Sequence, residues 1–132
     1  RSLVEGLHEQ GVIQYLGEVQ DMAELLRNTS IFFYPSLYGE GLPKILCEAA
    51  ACGVPVITTN HPGCRDAIRP NVTGVLLRSI NIKESKVAIE TMLRCKDSLR
   101  TYSAAARQLA EEYFDIRHIT EQHMKIYQSK LN

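Results

Sequence analysis

Short apolar runs alternate along this chain with segments of helix-like spacing, and glycines mark most of the boundaries. The apolar runs predict β-strands at residues 12–16, 31–34, 54–58 and 74–77. Apolar residues with helical spacing predict helices at residues 1–10, 21–28, 42–52 and 65–69. Because strands alternate with helices, we predict an α/β protein with a parallel sheet covered on both faces.

The last part of the chain has a different character. It is charged and helical, and we predict two or three helices with breaks near Lys96-Asp97 and near Phe114-Asp115. We therefore describe residues 1–132 as one partial domain, with a strand and helix core at 1–78 and a helical tail at 79–132. Right-handed crossovers place the carboxyl ends of parallel strands at one edge, so loops 35–41, 59–63 and 78–81 are expected to share that edge.

Composition excludes several classes of function. The 132 residues suffice for one domain, and 15 basic residues balance 15 acidic ones, so no basic field attracts nucleic acid. The apolar runs are far shorter than the roughly 20 residues that cross a bilayer. Four cysteines and four histidines lack metal-ligand spacing, so we expect buried, reduced thiols in a cytoplasmic setting. Because Arg1 is not a start methionine, we expect the chain to be part of a longer protein.

The strand at residues 31–34 runs into a loop that contains Gly39-Glu40-Gly41, and the next helix opens at Leu42-Pro43. Unpaired N–H groups and the helix dipole favour an anion at such a helix start. A phosphate can therefore approach the N–H groups of Gly41, Leu42 or Lys44. The alternative is a tight turn that only joins a strand to a helix, with Lys44 exposed to solvent.

Two carboxylates flank this helix start. Glu48 lies in a nearly apolar helix, where it either pairs with Lys44 one turn earlier or accepts hydrogen bonds from the two hydroxyls of a ribose. Glu40 either accepts from sugar hydroxyls or complements the helix dipole. A site for an anion beside carboxylates that accept hydrogen bonds from hydroxyl groups fits a nucleotide sugar.

The second loop repeats this arrangement with Gly63 ahead of a short helix. Arg65 or the N–H groups near Gly63 either face the same cleft or belong to a simple chain reversal. A single loop histidine such as His61 is typical of a surface residue.

The run E-G-L-P-K-I-L-C-E-A-A-A-C-G-V-P-V-I-T-T-N-H-P-G-C-R-D-A-I resembles the retaining glycosyltransferases of the GT-B fold, carbohydrate-active family four. It is particularly similar to bacterial enzymes that build capsule, lipopolysaccharide or exopolysaccharide. Their hallmark is two glutamates separated by seven residues, which Glu40 and Glu48 match. The resemblance covers residues 12–78 strongly and the helical tail more loosely. It implies a partial Rossmann-like, doubly wound sheet, the later part of a carboxyl-terminal donor-binding domain.

The resemblance also implies roles for individual residues. Glu40 is expected to contact the donor sugar as a catalytic residue, and the backbone at Gly41, Leu42 and Lys44 to meet the diphosphate. Glu48 is expected to bind the ribose hydroxyls. The implied reaction moves a sugar from a nucleotide diphosphate to an acceptor hydroxyl with retention, without a metal or other cofactor. The implied location is the cytoplasm or the inner face of the plasma membrane.

The first two strands of this domain in the family, with their glycine-rich loop, precede residue 12 and are absent, as is the acceptor domain. We therefore expect strand 12–16 to drift, to pair with another chain, or to pair abnormally with the edge at Ile31. The exposed edge invites self-association, and the chain alone is expected to be inactive. The final helix would lack the acceptor domain as its partner. A non-catalytic binding module, or a nucleotide-sugar epimerase or phosphorylase of the same fold, remains an alternative, although no lysine is placed to hold pyridoxal phosphate.

Overall fold

A computed structural model of the chain describes residues 2–39 and 41–131. Its three strands are β1 (Phe32–Tyr34), β2 (Val56–Thr59) and β3 (Gly74–Leu77). They form one sheet in the order β1–β2–β3, and both neighbouring pairs are parallel. The predicted α/β architecture with a parallel sheet is confirmed.

Helices connect the strands and make up the carboxyl-terminal part. They are α1 (Leu3–Glu9), α2 (Met22–Arg27), α3 (Lys44–Ala51), α4 (Pro62–Asp66), α5 (Ile82–Arg94), α6 (Lys96–Leu109) and α7 (Ile116–Leu131), with a π-helical segment (Ala110–Phe114) that continues α6. The tail breaks at Cys95 and Asp115, close to the predicted positions.

Local chemistry explains where several elements begin and end. The Asp21 carboxylate accepts a hydrogen bond from the backbone N–H of Glu24 at 2.9 Å and thereby caps α2. Gly53 ends α3 with a φ of +68°, a conformation that a side chain disfavours. Gly74 begins β3 so close to β2 that a Cβ there would lie 2.2 Å from the Val56 carbonyl oxygen. These positions fix the helix boundaries and the spacing of the sheet.

The sheet divides the core into two layers. Helices α2, α3 and α4 cover one face, where Leu26, Leu46 and Val56 belong to one buried cluster. Helices α5 and α6 cover the other face, where Ile57 and Met92 are buried together. All four residues of β2 are buried, because both faces and both edges of this central strand are occupied.

The prediction of a strand at residues 12–16 is wrong, because the structure has no strand there. These residues are exposed, and Val12 and Tyr15 keep 64% and 61% of their surface accessible. Their backbone is held only locally in the bonds that the structure describes, for example from the Val12 N–H to the Leu7 carbonyl at 3.0 Å. An apolar run forms a strand only where it pairs with a neighbouring strand, and this segment does not pair with β1 although the outer edge of β1 is open.

Apolar side chains of β1 and α7 are also exposed in the described part of the chain. Phe33 on β1 is 38% exposed, although the sequence predicts a buried strand, because β1 has a neighbour on one side only. Helix α7 buries none of its residues, and its apolar side chains Ile116, Met124 and Tyr127 are exposed. Among the described helices, none combines the length and hydropathy that crossing a bilayer requires.

Candidate functional site at the carboxyl edge of the sheet

All three strands end at the same edge, because both strand pairs are parallel. The loops that follow β1, β2 and β3 therefore lie along this edge, as predicted. Such an edge is where open α/β sheets place their ligands. We accordingly take the carboxyl edge as the candidate site.

A pair of hydroxyl side chains fastens the first loop to β2. Ser36 and Thr59 are buried, with 7% and 4% of their surfaces exposed. The Thr59 hydroxyl donates to the Ser36 carbonyl and accepts from the Ser36 N–H at 3.3 Å. The Ser36 hydroxyl in turn accepts from the Tyr38 N–H at 3.3 Å. This contact was not predicted from the sequence, although a serine two residues after one predicted strand and a threonine directly after another were its visible signal.

The start of α3 carries the residues that were predicted to meet a diphosphate. Pro43 is the N-cap of this helix, and its ring makes no capping hydrogen bond. The Leu46 N–H donates to the Pro43 carbonyl at 3.0 Å, whereas the N–H groups of Lys44 and Ile45 have no acceptor inside the helix and can point to a ligand. Gly41, Leu42 and Lys44 are all exposed here, and a Cβ added to Gly41 would meet nothing within 4 Å. Glu40 lies outside the described residues.

Glu48 lies one turn after Lys44 on the exposed side of α3. Its carboxylate is 3.6 Å from the Lys44 ammonium, and the side chains are 38% and 90% exposed. An exposed pair of this kind contributes only about 0.3–0.5 kcal/mol. The ion pair with Lys44 is therefore real but weak, and it leaves the Glu48 carboxylate free to exchange this partner for a hydroxyl.

The surroundings of Glu48 form a shallow groove between α3 and the π-helical segment. Cys47, Glu48, Phe114 and Asp115 line this groove. Burial and the neighbouring Glu48 carboxylate raise the pKa of the Cys47 thiol, so Cys47 stays protonated. At the far end of the groove, hydrogen bonds from Arg117 lower the pKa of Asp115 to about 2. The groove is therefore lined by carboxylates, by the basic side chains of Lys44 and Arg107, and by the aromatic ring of Phe114.

The second loop places a buried, unpaired nitrogen at this edge. The Nδ1 atom of His61 is buried and has no hydrogen-bond partner in the described residues. Arg65, considered as a cleft residue in the sequence, instead donates from Nη1 to the Asn60 side-chain oxygen at 3.2 Å. His61 was expected to be an ordinary surface residue, so the burial of Nδ1 is a finding of the structure.

The third loop is held by one carboxylate. Glu84 in α5 accepts from the backbone N–H groups of Arg78 at 2.6 Å and Ser79 at 3.0 Å, and from the Ser79 hydroxyl at 3.0 Å. The Arg78 N–H is the main reason that the pKa of Glu84 lies below its ordinary value. This carboxylate orders the loop and has a structural role.

The described residues contain no cluster of three or more histidine, cysteine, aspartate or glutamate side chains that could hold a metal ion. Among the cysteines, Cys64 is buried, whereas Cys95 is exposed. The expectation that all thiols are buried is therefore wrong for Cys95, which lies at the start of α6 on the surface.

The parallel sheet, with helices on both faces and an open carboxyl edge, defines an α/β protein of the doubly wound class. Residues 1–109 match the family model described as Glycosyl transferases group 1. The chain belongs to this family.

Individual relatives agree with the family assignment. The chain is 33% identical over 117 residues to the N,N'-diacetylbacillosaminyl-diphospho-undecaprenol alpha-1,3-N-acetylgalactosaminyltransferase of Campylobacter jejuni. The matched residues make up 89% of this chain and 31% of that protein. The chain thus spans about a third of the length of this relative.

Solved structures share the fold. Anabaena HepE in complex with UDP superimposes with a TM-score of 0.84 at 23% identity, over 96% of this chain and 36% of HepE. The carboxyl-terminal domain of the group 1 glycosyltransferase LpcC from Francisella tularensis superimposes with a TM-score of 0.64 at 16% identity, over 86% of this chain and 61% of that domain. HepE has also been crystallised with UDP-glucose.

Proposed function

We propose that this chain is the donor-binding part of a retaining glycosyltransferase, which moves a sugar from a nucleotide diphosphate to an acceptor hydroxyl. The observation that carries the proposal is the start of α3, where the exposed residues Gly41 and Leu42 lie in the loop that follows β1 at the carboxyl edge. Family membership and the UDP bound to HepE support a nucleotide-diphosphate donor.

Each part of the donor has a proposed partner. The diphosphate binds the backbone N–H groups at Gly41, Leu42 and Lys44. These donors stabilise the leaving group as its charge develops, without a metal or other cofactor. The ribose hydroxyls bind Glu48, whose half-exposed carboxylate has only a weak partner. Glu40 contacts the sugar as the catalytic residue.

The acceptor is proposed to be a carbohydrate or a lipid-linked sugar in surface polysaccharide synthesis, at the cytoplasmic side of the membrane. The lipid-linked acceptor named for the Campylobacter relative supports this part of the proposal. The acceptor itself is expected to bind a further domain. Alone, the chain is expected to bind donor without turnover, and measurable transfer by the isolated chain would contradict this.

Titration of the chain with UDP-glucose, GDP-mannose and ADP-glucose, followed by NMR, tests donor binding. We expect Glu48→Ala to weaken the binding of the preferred donor at least about tenfold, because hydrogen bonds to a charged acceptor contribute about 1.5–3 kcal/mol. Glu90→Ala is the matched control, since Glu90 forms the same type of exposed i to i+4 pair with Lys86, at 3.7 Å, on α5. Equal affinities of the two variants would remove Glu48 from the ribose role.

The open edge of β1 supports a second proposed partner, another copy of this chain. Phe33 is half-exposed on this strand, and exposed strand edges promote pairing between molecules. We expect concentration-dependent dimers in sedimentation velocity, and a shift to monomer in Phe33→Lys. A monomer at every concentration in the parent chain would contradict self-association.

A further inference from the structure

In the described residues, the Nδ1 atom of His61 has no hydrogen-bond partner, although the backbone of His61 makes hydrogen bonds through both its N–H and its carbonyl group. The His61 N–H donates to the Thr59 carbonyl at 2.8 Å, and the His61 carbonyl accepts from the Arg65 N–H at 2.7 Å. The backbone is therefore fixed on both sides of the ring. Yet Nδ1 is buried without a hydrogen bond in the described part of the chain.

An obvious partner inside the fold is not used. His61 is the N-cap of α4, and an N-cap side chain commonly accepts a hydrogen bond from the first helical turn. The His61 ring makes no such bond. A buried polar atom without a partner costs about 1–3 kcal/mol, so most buried polar atoms in folded proteins are paired.

The position of His61 connects it to the candidate donor site. It follows β2 at the carboxyl edge, two residues after Thr59, whose hydroxyl holds the loop that leads to α3. His61 and the exposed start of α3 thus belong to neighbouring loops of one sheet edge. We therefore consider a ligand that spans both loops as the source of the missing hydrogen bond.

We propose that the Nδ1 atom of His61 recognises a hydroxyl group of the transferred sugar in the bound donor. This inference rests on the proposed function. A hydroxyl is the best match because it can either donate or accept, and it therefore pairs with Nδ1 in both tautomers of the ring. A diphosphate oxygen only accepts, and the N–H groups at the start of α3 already serve it. The histidine ring turns about a soft, two-fold torsion, which allows Nδ1 to face the ligand.

Comparing a sugar donor with its bare nucleotide isolates the sugar contact. The affinity of the chain for UDP-glucose, GDP-mannose and ADP-glucose is measured beside that for UDP, GDP and ADP. In His61→Phe, which keeps a ring but removes the nitrogens, we expect the preferred sugar donor to bind 3- to 10-fold more weakly and the bare nucleotide to bind as before. His61→Asn returns a polar atom near Nδ1 and is expected to restore part of the loss.

Thermal unfolding of the ligand-free variants separates recognition from a structural role. Because His61→Phe removes an unpaired polar atom, its melting temperature is expected to stay the same or rise. His123→Phe, at an exposed position of α7, is the matched control and is expected to change neither binding nor stability.

Three outcomes would overturn the inference. Equal loss of affinity for the sugar donor and the bare nucleotide would assign His61 to the nucleotide. Unchanged affinity for both, whatever the melting temperature, would leave Nδ1 as an unpaired atom without function. If the parent chain binds none of the six compounds, the proposed donor site fails, and this inference fails with it. In the first two cases the donor site itself stands.

Discussion

Replacing Thr59 by valine should loosen the loop that carries the candidate site. Valine has nearly the shape of threonine but lacks the hydroxyl that bonds both the N–H and the carbonyl of Ser36. Thr59 and Ser36 are buried, so water cannot readily replace the lost bonds. The substitution therefore leaves two backbone groups of Ser36 without a partner.

The size of the effect follows from these contacts. A hydrogen bond contributes about 0.5–1.5 kcal/mol, and a buried group left unpaired costs about 1–3 kcal/mol. Because the loop can move partly into solvent, we expect Thr59→Val to lower the free energy of unfolding by about 2–3 kcal/mol. Small domains have only about 5–15 kcal/mol of stability in total, so this loss is large.

Urea denaturation followed by circular dichroism measures the change. Thr59→Ser is the control, because it keeps the hydroxyl and removes one methyl group, and it should lose about 1 kcal/mol. The two variants should also differ in their affinity for the donor. Thr59→Val should bind it more weakly, because only this variant releases Ser36 and the loop that leads to α3. A loss below about 0.5 kcal/mol for Thr59→Val would refute the reasoning that the Thr59–Ser36 contact fixes this loop.

Two further substitutions test the fold. Gly74→Ala places a Cβ 2.2 Å from the Val56 carbonyl oxygen, so β3 must shift, and we expect a loss of about 2–4 kcal/mol in urea denaturation, whereas Gly41→Ala, with open space around it, should change stability by less than about 0.5 kcal/mol. Equal effects of the two alanines would contradict the register of β2 and β3. Glu84→Gln should weaken the hold on the loop after β3. Folding lowers the pKa of Glu84 from its ordinary 4.5. The stabilisation that its carboxylate contributes to the folded state is therefore complete above pH 4.5 and disappears as the pH falls through the pKa of the folded state. The stability difference between parent and variant should therefore be present at pH 7 and shrink below pH 4.5; a difference independent of pH would contradict the role of this carboxylate.

The sequence by itself determined most of the architecture. The structure confirms three of the four strands that the apolar runs predicted, because strands of a sheet that helices cover on both faces are rich in apolar residues. Gly53 marked the end of α3, since positive φ suits glycine. The two-glutamate spacing and its surroundings also indicated a glycosyltransferase, and the match over residues 1–109 confirms the group 1 glycosyltransferase family. The roles of Glu40 and Glu48 stay predictions.

Only the tertiary structure decided how these elements meet. The segment at residues 12–16 has a strand-like pattern but stays exposed, because the pattern of one segment does not determine whether that segment pairs with a neighbouring strand. The contact between Ser36 and Thr59 joins residues 23 positions apart, and the unpaired nitrogen of His61 depends on what surrounds it in space. Hydrophobic periodicity records which side of an element faces the core, whereas hydrogen-bond partners across loops are set by the packed geometry.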